Sequence, residues 1–582
     1  MVDLETKADL EAVTARRIEL RALDRQRFDA IDRGDLVIAP FLKPCRMKIL
    51  IVADGYTGGF VNVTFGRLYF SLSALCDLLE HSPDWWIKYD LTKVHRQTDP
   101  LGAADRNGFR FTEAGFDINQ YDQIWFFGAR SDINDSERLS SAELAIVARW
   151  MDERQGGVFA VGDHYDLGAS LCGRIPRVST MRKWSTAQNP PTNTGPNRHD
   201  TLRRGHDNYY TFNDESDDIP MTTRVRRYPL WSTNVFQRRW APHPVLCGKD
   251  GVIDILPDHP HEGEVIEPSN PTAIFGFGTY TNKPEYPEVN GHRELPNIIA
   301  WARVQGDHTE GRGGAPGTDR NKGPANAKEF GAIGAYDGHQ ANVGRVVVDS
   351  TWHHWMDVNL IGRPRTGDSI DPVLDTDPKA FGFEYTAEGR AAYGRIKEYF
   401  LNVAKWLGAP ARQNCMFMRA TWGIVVRYPL AELISPRLPL WELGGFARDA
   451  IGRRASRCTL SSWLFPHFVE WRRMLPFDIK HIPDPSEDLV TPSWEAFETY
   501  IIGGATREML ELAYALGDKG GEIDDGRVAK AMAAGMQLGA ETFHADLERA
   551  QEASRRYLEI TAAATRARFD TATFLDGEGG RR

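Results

Sequence analysis

Cysteine is scarce in this chain. There are six in 582 residues, at 45, 76, 172, 247, 415 and 458, and none is spaced from another like a metal knuckle or a dense disulfide framework. The expectation is reduced thiols in a cytoplasmic protein. Long apolar runs are also missing: none reaches the roughly 18 residues that a membrane helix needs. The first 32 residues are charged throughout and lack the apolar core of a secretory signal. Nor is there an excess of positive charge. Seventy Lys and Arg stand against 80 Asp and Glu, a net charge of −10, which argues against general nucleic-acid affinity. Neither a membrane nor a nucleic acid is an expected partner.

What remains is an ordinary globular composition, 41% hydrophobic, 11% aromatic and 26% charged, in a chain too long for one core. Residues 1–46 read as an N-terminal helical extension, with Leu10, Val13, Leu20 and Leu23 on one side of a helix over 8–31. Residues 47–408 read as an α/β unit. The run from Met47 to Ala53 is almost continuously apolar, as in a parallel strand covered on both faces. Helix-like 65–79, a strand at 86–91, the strand Asp122–Phe127 and a helix opened by the Ser140–Glu143 capping box follow. Gly156 and Gly157 end that helix, and the next strand runs out at Gly162. Alternating strands and helices predict a doubly wound parallel sheet.

Residues 185–330 are rich in Pro, Gly, Asn and Arg and predict a loop-rich insertion over the sheet, with 311–328 as a loop. Between 171 and 240 twelve Lys and Arg face six Asp and Glu, which suits either a solvated face or attraction of an anionic substrate. A strand from Gly344 to Asp349 and a helix over 391–407 close the unit. Residues 409–582 form a mainly helical C-terminal region without a chemical motif, suited to packing or to homo-oligomer formation.

In such sheets ligands sit beyond the carboxyl ends of the strands. Asp163 and His164, directly after Gly162, are the leading catalytic candidates, as nucleophile, base or ligand, with Asp163 as a helix cap the plain alternative. His353 and His354, after the last strand, are their expected partners. Asp54, Arg130, Tyr336, His339 and Trp352 are expected to line a small-molecule substrate pocket. The run Asp258-His259-Pro-His261-Glu262 is dense in ligand-type groups. It suggests His259, His261 and Glu262 around a divalent metal such as zinc, with a hydrogen-bonded loop equally open.

The strand at 48–53, the Tyr121-Asp-Gln-Ile-Trp strand, the turn at Gly162, the phrase His243-Pro-Val-Leu-Cys-Gly248 and Gly344-Arg-Val-Val-Val-Asp349 resemble the class I glutamine amidotransferase-like superfamily, within it the ThuA-like (trehalose-utilisation) branch. The resemblance covers roughly 47–408 and implies a flavodoxin-like, three-layer fold. It also implies a nucleophilic cysteine at the turn, where this chain has Asp163 instead; Cys172 lies farther on. The family's His-x-Glu is absent too, with Asp357 the nearest acid to His353 and His354. Thioester glutaminase chemistry is therefore not expected. The expectation is a hydrolase-type enzyme acting on a polar, anionic small molecule with metal assistance, or else a non-catalytic ligand-binding or assembly protein.

Overall fold

The computed structural model describes residues 42–54, 59–61, 71–99, 102–131, 137–163, 166–188, 220–230, 239–257, 263–304, 328–362, 382–384, 386–427, 438–464, 494–516 and 523–566. The candidate residues His164, His259, His261 and Glu262, and the helix expected over 8–31, lie outside them.

Nine strands form one sheet among the described residues. They are β1 (Cys45–Ala53), β2 (Ile87–His95), β3 (Gln123–Phe127), β4 (Gly157–Val161), β5 (Met221–Val225), β6 (Ile255–Leu256), β7 (Asn297–Val304), β8 (Lys328–Tyr336) and β9 (Val346–Asp349). Their spatial order is β6-β5-β7-β8-β9-β4-β3-β1-β2. The five strands from β2 to β9 are mutually parallel. The other four join antiparallel, through β8 against β9, β7 against β8, β5 against β7 and β6 against β5.

This corrects the expectation of a wholly parallel sheet beneath a loop-rich insertion. Described strands of the insertion, β5, β6 and β7, widen the sheet. In β8 the apolar pattern is interrupted by Gly331 and Gly334. In β8, Gly331 lets the chain pass the Val265 carbonyl, which a Cβ there would approach to 2.1 Å.

Helices cover both faces. On one, α1 (Ser73–Glu80) and α5 (Ala387–Leu407) bury Leu75, Leu79, Tyr393, Ile396, Phe400, Val403 and Leu407 against Ile49, Ile51, Trp125 and Phe159. On the other, α2 (Ser141–Glu153) buries Leu144, Val147 and Met151 against Leu50, Val52, Ile124 and Val158. The capping box of α2 forms as its sequence predicts, with Ser140 Oγ accepting from Glu143 N and Glu143 accepting from Ser140 N at 2.9 Å. The architecture is thus three-layered α/β, its strands sandwiched between helices. Two short helices, α3 (Ala169–Cys172) and α4 (Asp357–Leu360), follow β4 and β9.

The described residues after 409 are mostly helical: α6 (Pro410–Arg427), α7 (Leu440–Ala455), α8 (Arg457–Leu464), α9 (Trp494–Leu516) and the 42-residue α10 (Asp525–Arg566). Two disulfides tie them to the α/β unit, Cys45 of β1 to Cys415 of α6 and Cys247 to Cys458 of α8. They correct the expectation that the cysteines are all reduced; only Cys76 and Cys172 are free. The paired positions are 370 and 211 residues apart, so no local spacing could reveal them. No helix among the described residues is long and apolar enough to cross a membrane.

Candidate active site

One register row crosses the parallel strands: Ala53 pairs with Phe127, Phe127 with Val161 and Val161 with Asp349. The residues just past the row, Asp54, Gly128, Gly162 and Ser350, therefore share the carboxyl edge of the sheet. Gly162 permits the close turn there, since a Cβ would lie 2.4 Å from the Leu167 carbonyl oxygen. Asp163 N donates to that same carbonyl at 3.0 Å.

Asp163 is fully buried and faces inward. Thr351 Oγ1 donates to its Oδ1 at 2.8 Å, and His353 Nε2 lies 3.5 Å from its Oδ2. The opposite ring nitrogen of His353 stands 3.2 Å from Asn359 Oδ1 on α4. Thr351 Oγ1 also accepts from His353 N at 3.1 Å, fixing the short turn Trp352–His354. Asp163 does not adopt the left-handed backbone conformation that exposes a nucleophile at a strained elbow. Its carboxylate lies against Thr351 and His353.

His354 belongs to a second pair. Its Nδ1 lies 2.7 Å from Asp349 Oδ1. The other oxygen of Asp349 accepts from Trp355 Nε1 at 2.9 Å and from the Tyr399 hydroxyl of α5 at 2.8 Å. Burial, reinforced by Asp349, holds the Tyr399 phenol well above its usual range, so it stays a donor. His354 Nε2 is buried and has no hydrogen-bond partner among the described residues. An imidazole fixed through one nitrogen by a fully engaged carboxylate, with the other nitrogen unspent, is a proton acceptor held in a single tautomer.

Arg182 joins the two turns. Its guanidinium donates to the carbonyls of Asp163 and of Ser350, the latter at 3.0 Å, and lies over the Trp184 ring. Burial pulls it down to about 10, against the opposing pull of Asp163. Cys172, the one cysteine near this edge, has its Sγ 3.6 Å from the Val161 carbonyl. Burial pushes its thiol up, and the Asp54 carboxylate adds to that, so it is a packed thiol rather than a nucleophile.

The remaining expected residues divide between the two edges. Asp54 is at the carboxyl edge, but its Oδ2 accepts from Ala129 N at 2.7 Å and Arg130 N at 2.9 Å, clamping the ends of β1 and β3 together. Arg130 is paired with Glu137 at 2.9 Å. Trp352 is buried, its indole 4.1 Å from the His353 ring. Tyr336 and His339 are not at this edge. Because β8 runs antiparallel to β9, Tyr336 pairs with Val346 at the start of that strand, and His339 follows it to the amino edge. His243 is there too, against Trp406 at 4.7 Å, with burial pulling its imidazole down to about 3. Asp357, the nearest acid in sequence after the histidines, accepts from Ser71, Ser73 and Ala74 at the start of α1. Burial pushes it up to about 6.

Asp349, Tyr399 and Thr351 were not singled out from sequence as site residues. Asp349 had a signal, as the acid that ends a buried strand five residues before His354. No group of three or more His, Cys, Asp or Glu converges as a metal site among the described residues. Three described arginines of the basic segment have acidic partners, Arg177 with Asp152, Arg224 with Glu329 and Arg226 with Glu267, and Arg174 donates to the Leu139 carbonyl and to Ser141 Oγ. In comparisons with known proteins, no family model and no curated protein matches the chain.

Proposed function

We propose that the carboxyl edge is the active site of a hydrolase acting on a polar small molecule, with His354 as general base. The observation that carries this is the asymmetry of His354, whose Nδ1 is fixed on Asp349 while Nε2 is unspent. In the proposed reaction Nε2 takes a proton from a water as that water attacks the substrate, and the imidazolium returns the proton to the leaving group as the scissile bond breaks. Asp349 stabilises that imidazolium, with Trp355 and Tyr399 holding the carboxylate in place. Asp163 and Arg182 position the neighbouring turns. The spatial order β2-β1-β3-β4-β9, which puts the first three strands in the sequence 2-1-3 with two more following, supports a flavodoxin-like and amidotransferase-like reading of the parallel half. Arg177, Arg224 and Arg226 are paired internally and give no support to an anionic substrate.

A panel of esters, amides, phosphoesters and glycosides tests the reading. The wild-type chain should turn over at least one class, and His354→Asn should lose that turnover by about 10²–10⁴-fold while keeping its melting temperature. Undiminished turnover in His354→Asn would sink it. One observation favours a second reading, a non-catalytic assembly protein: both His–Asp pairs are fully buried. In that case His354→Asn lowers stability and no substrate class is turned over.

A further inference from the structure

The longest helix outruns its partner. The antiparallel pair α9 and α10 meets at Gly504 against Gly535, at Tyr500 and Ile501 against Gly539, and at Phe497 against Phe543. The Tyr500 hydroxyl also donates to Asp546 at 2.7 Å. This register brings the start of α9, Trp494, level with about residue 546 of α10. The 20 residues from there to Arg566 continue for about 30 Å beyond it.

The face that meets α9 does not stop where α9 does. Counting at helical spacing from Gly535, Gly539 and Asp546, the same stripe continues through Ala550, Ala553, Tyr557 and Ile560. Tyr557 is 68% and Ile560 66% exposed, and both alanines are exposed. The flanking charges pair within the helix itself, Arg549 with Asp546 and both Arg555 and Arg556 with Glu552.

We propose that this stripe is a homodimer interface, occupied by the same stripe of a second copy running antiparallel. The order of its side chains selects that partner. Two small residues precede two large ones, and the four positions are symmetric about Arg555. In an antiparallel pair Ala550 faces Ile560 of the partner subunit, and Ala553 faces Tyr557 of the partner subunit. Each large side chain thus meets a small one at every layer. A parallel pair would set Tyr557 against its own copy and leave the alanines facing each other across a gap. The stripe is also continuous with the α9–α10 seam, so each copy prolongs a helix packing that already exists. An interface on the order of 1,000 Å² is at the low end for stable complexes, which makes the dimer reversible. This proposal is independent of the hydrolase reading.

Sedimentation equilibrium of the full chain tests it, with a concentration-dependent dimer expected. Tyr557→Glu combined with Ile560→Glu, both at exposed positions, should weaken the dimer by about 100-fold or more while leaving the far-UV circular dichroism unchanged. Oxidative cross-linking reads the register. Ala550→Cys mixed with differently tagged Ile560→Cys should form the mixed disulfide faster than either variant joins itself. A monomer at every concentration, a dimer that survives the double glutamate change, or preferential self-linking of Ala550→Cys would each overturn the proposal.

Discussion

Two His–Asp pairs sit side by side at the carboxyl edge and are built for different work. In the first, His353 has a partner near each ring nitrogen, Asp163 at 3.5 Å and Asn359 at 3.2 Å. Such a ring is locked, and the pair joins the end of β4 to α4. In the second, among the described residues, His354 leans on Asp349 alone at 2.7 Å, while the carboxylate carries three further donors, from Trp355, Tyr399 and Thr351 N. The surplus of bonds is on the histidine in one pair and on the acid in the other. Adjacent positions in sequence thus give one ring that braces and one that can exchange a proton.

The sharpest way to break this contrast is Asp349→Ala. It strips the partner from the side chains of His354, Trp355 and Tyr399 and from Thr351 N at once, and should cost about 3–5 kcal/mol in urea unfolding. His354→Asn should separate the pairs: large loss of turnover, with stability changed by less than about 1 kcal/mol. His353→Asn should do the reverse, destabilising the fold.

Asp357, which supports the same region from α4, gives a pH test. Burial raises its carboxyl from 3.8 to about 6 in the folded state, so folding favours the protonated form. The stability this group contributes is full below its unfolded value and is lost as pH rises through about 6. That loss amounts to roughly 3 kcal/mol, and Asp357→Asn should flatten this part of a urea-stability profile. The smallest effect is expected for Thr351→Val, which removes the hydroxyl between Asp163 and His353 N at about 1–2 kcal/mol.

The parallel half of the molecule was legible because its strands are covered on both faces and read as unbroken apolar runs, as at 49–53, 124–127 and 346–348. Their ends marked the carboxyl edge, and Asp54, Asp163, His353 and His354 were found there. What sequence could not give was direction. Nothing local in Tyr336 or His339 says that β8 runs opposite to β9, and that reversal carries both to the far edge. Partners distant along the chain were hidden for the same reason. Tyr399 reaches Asp349 across 50 residues because α5 packs under the sheet, a contact fixed by the whole core and by no motif. Asp357 was the nearest acid in sequence to the histidines, but its carboxylate is taken up by Ser71 and Ser73, more than 280 residues before it.

The two disulfides overlap along the chain instead of nesting, one spanning 45–415 and the other 247–458. Any single peptide-bond cut between Cys45 and Cys458 therefore falls inside at least one covalent ring. A protease that nicks the chain once in that interval leaves its two fragments bonded to each other, and they separate on a gel only after reductant is added.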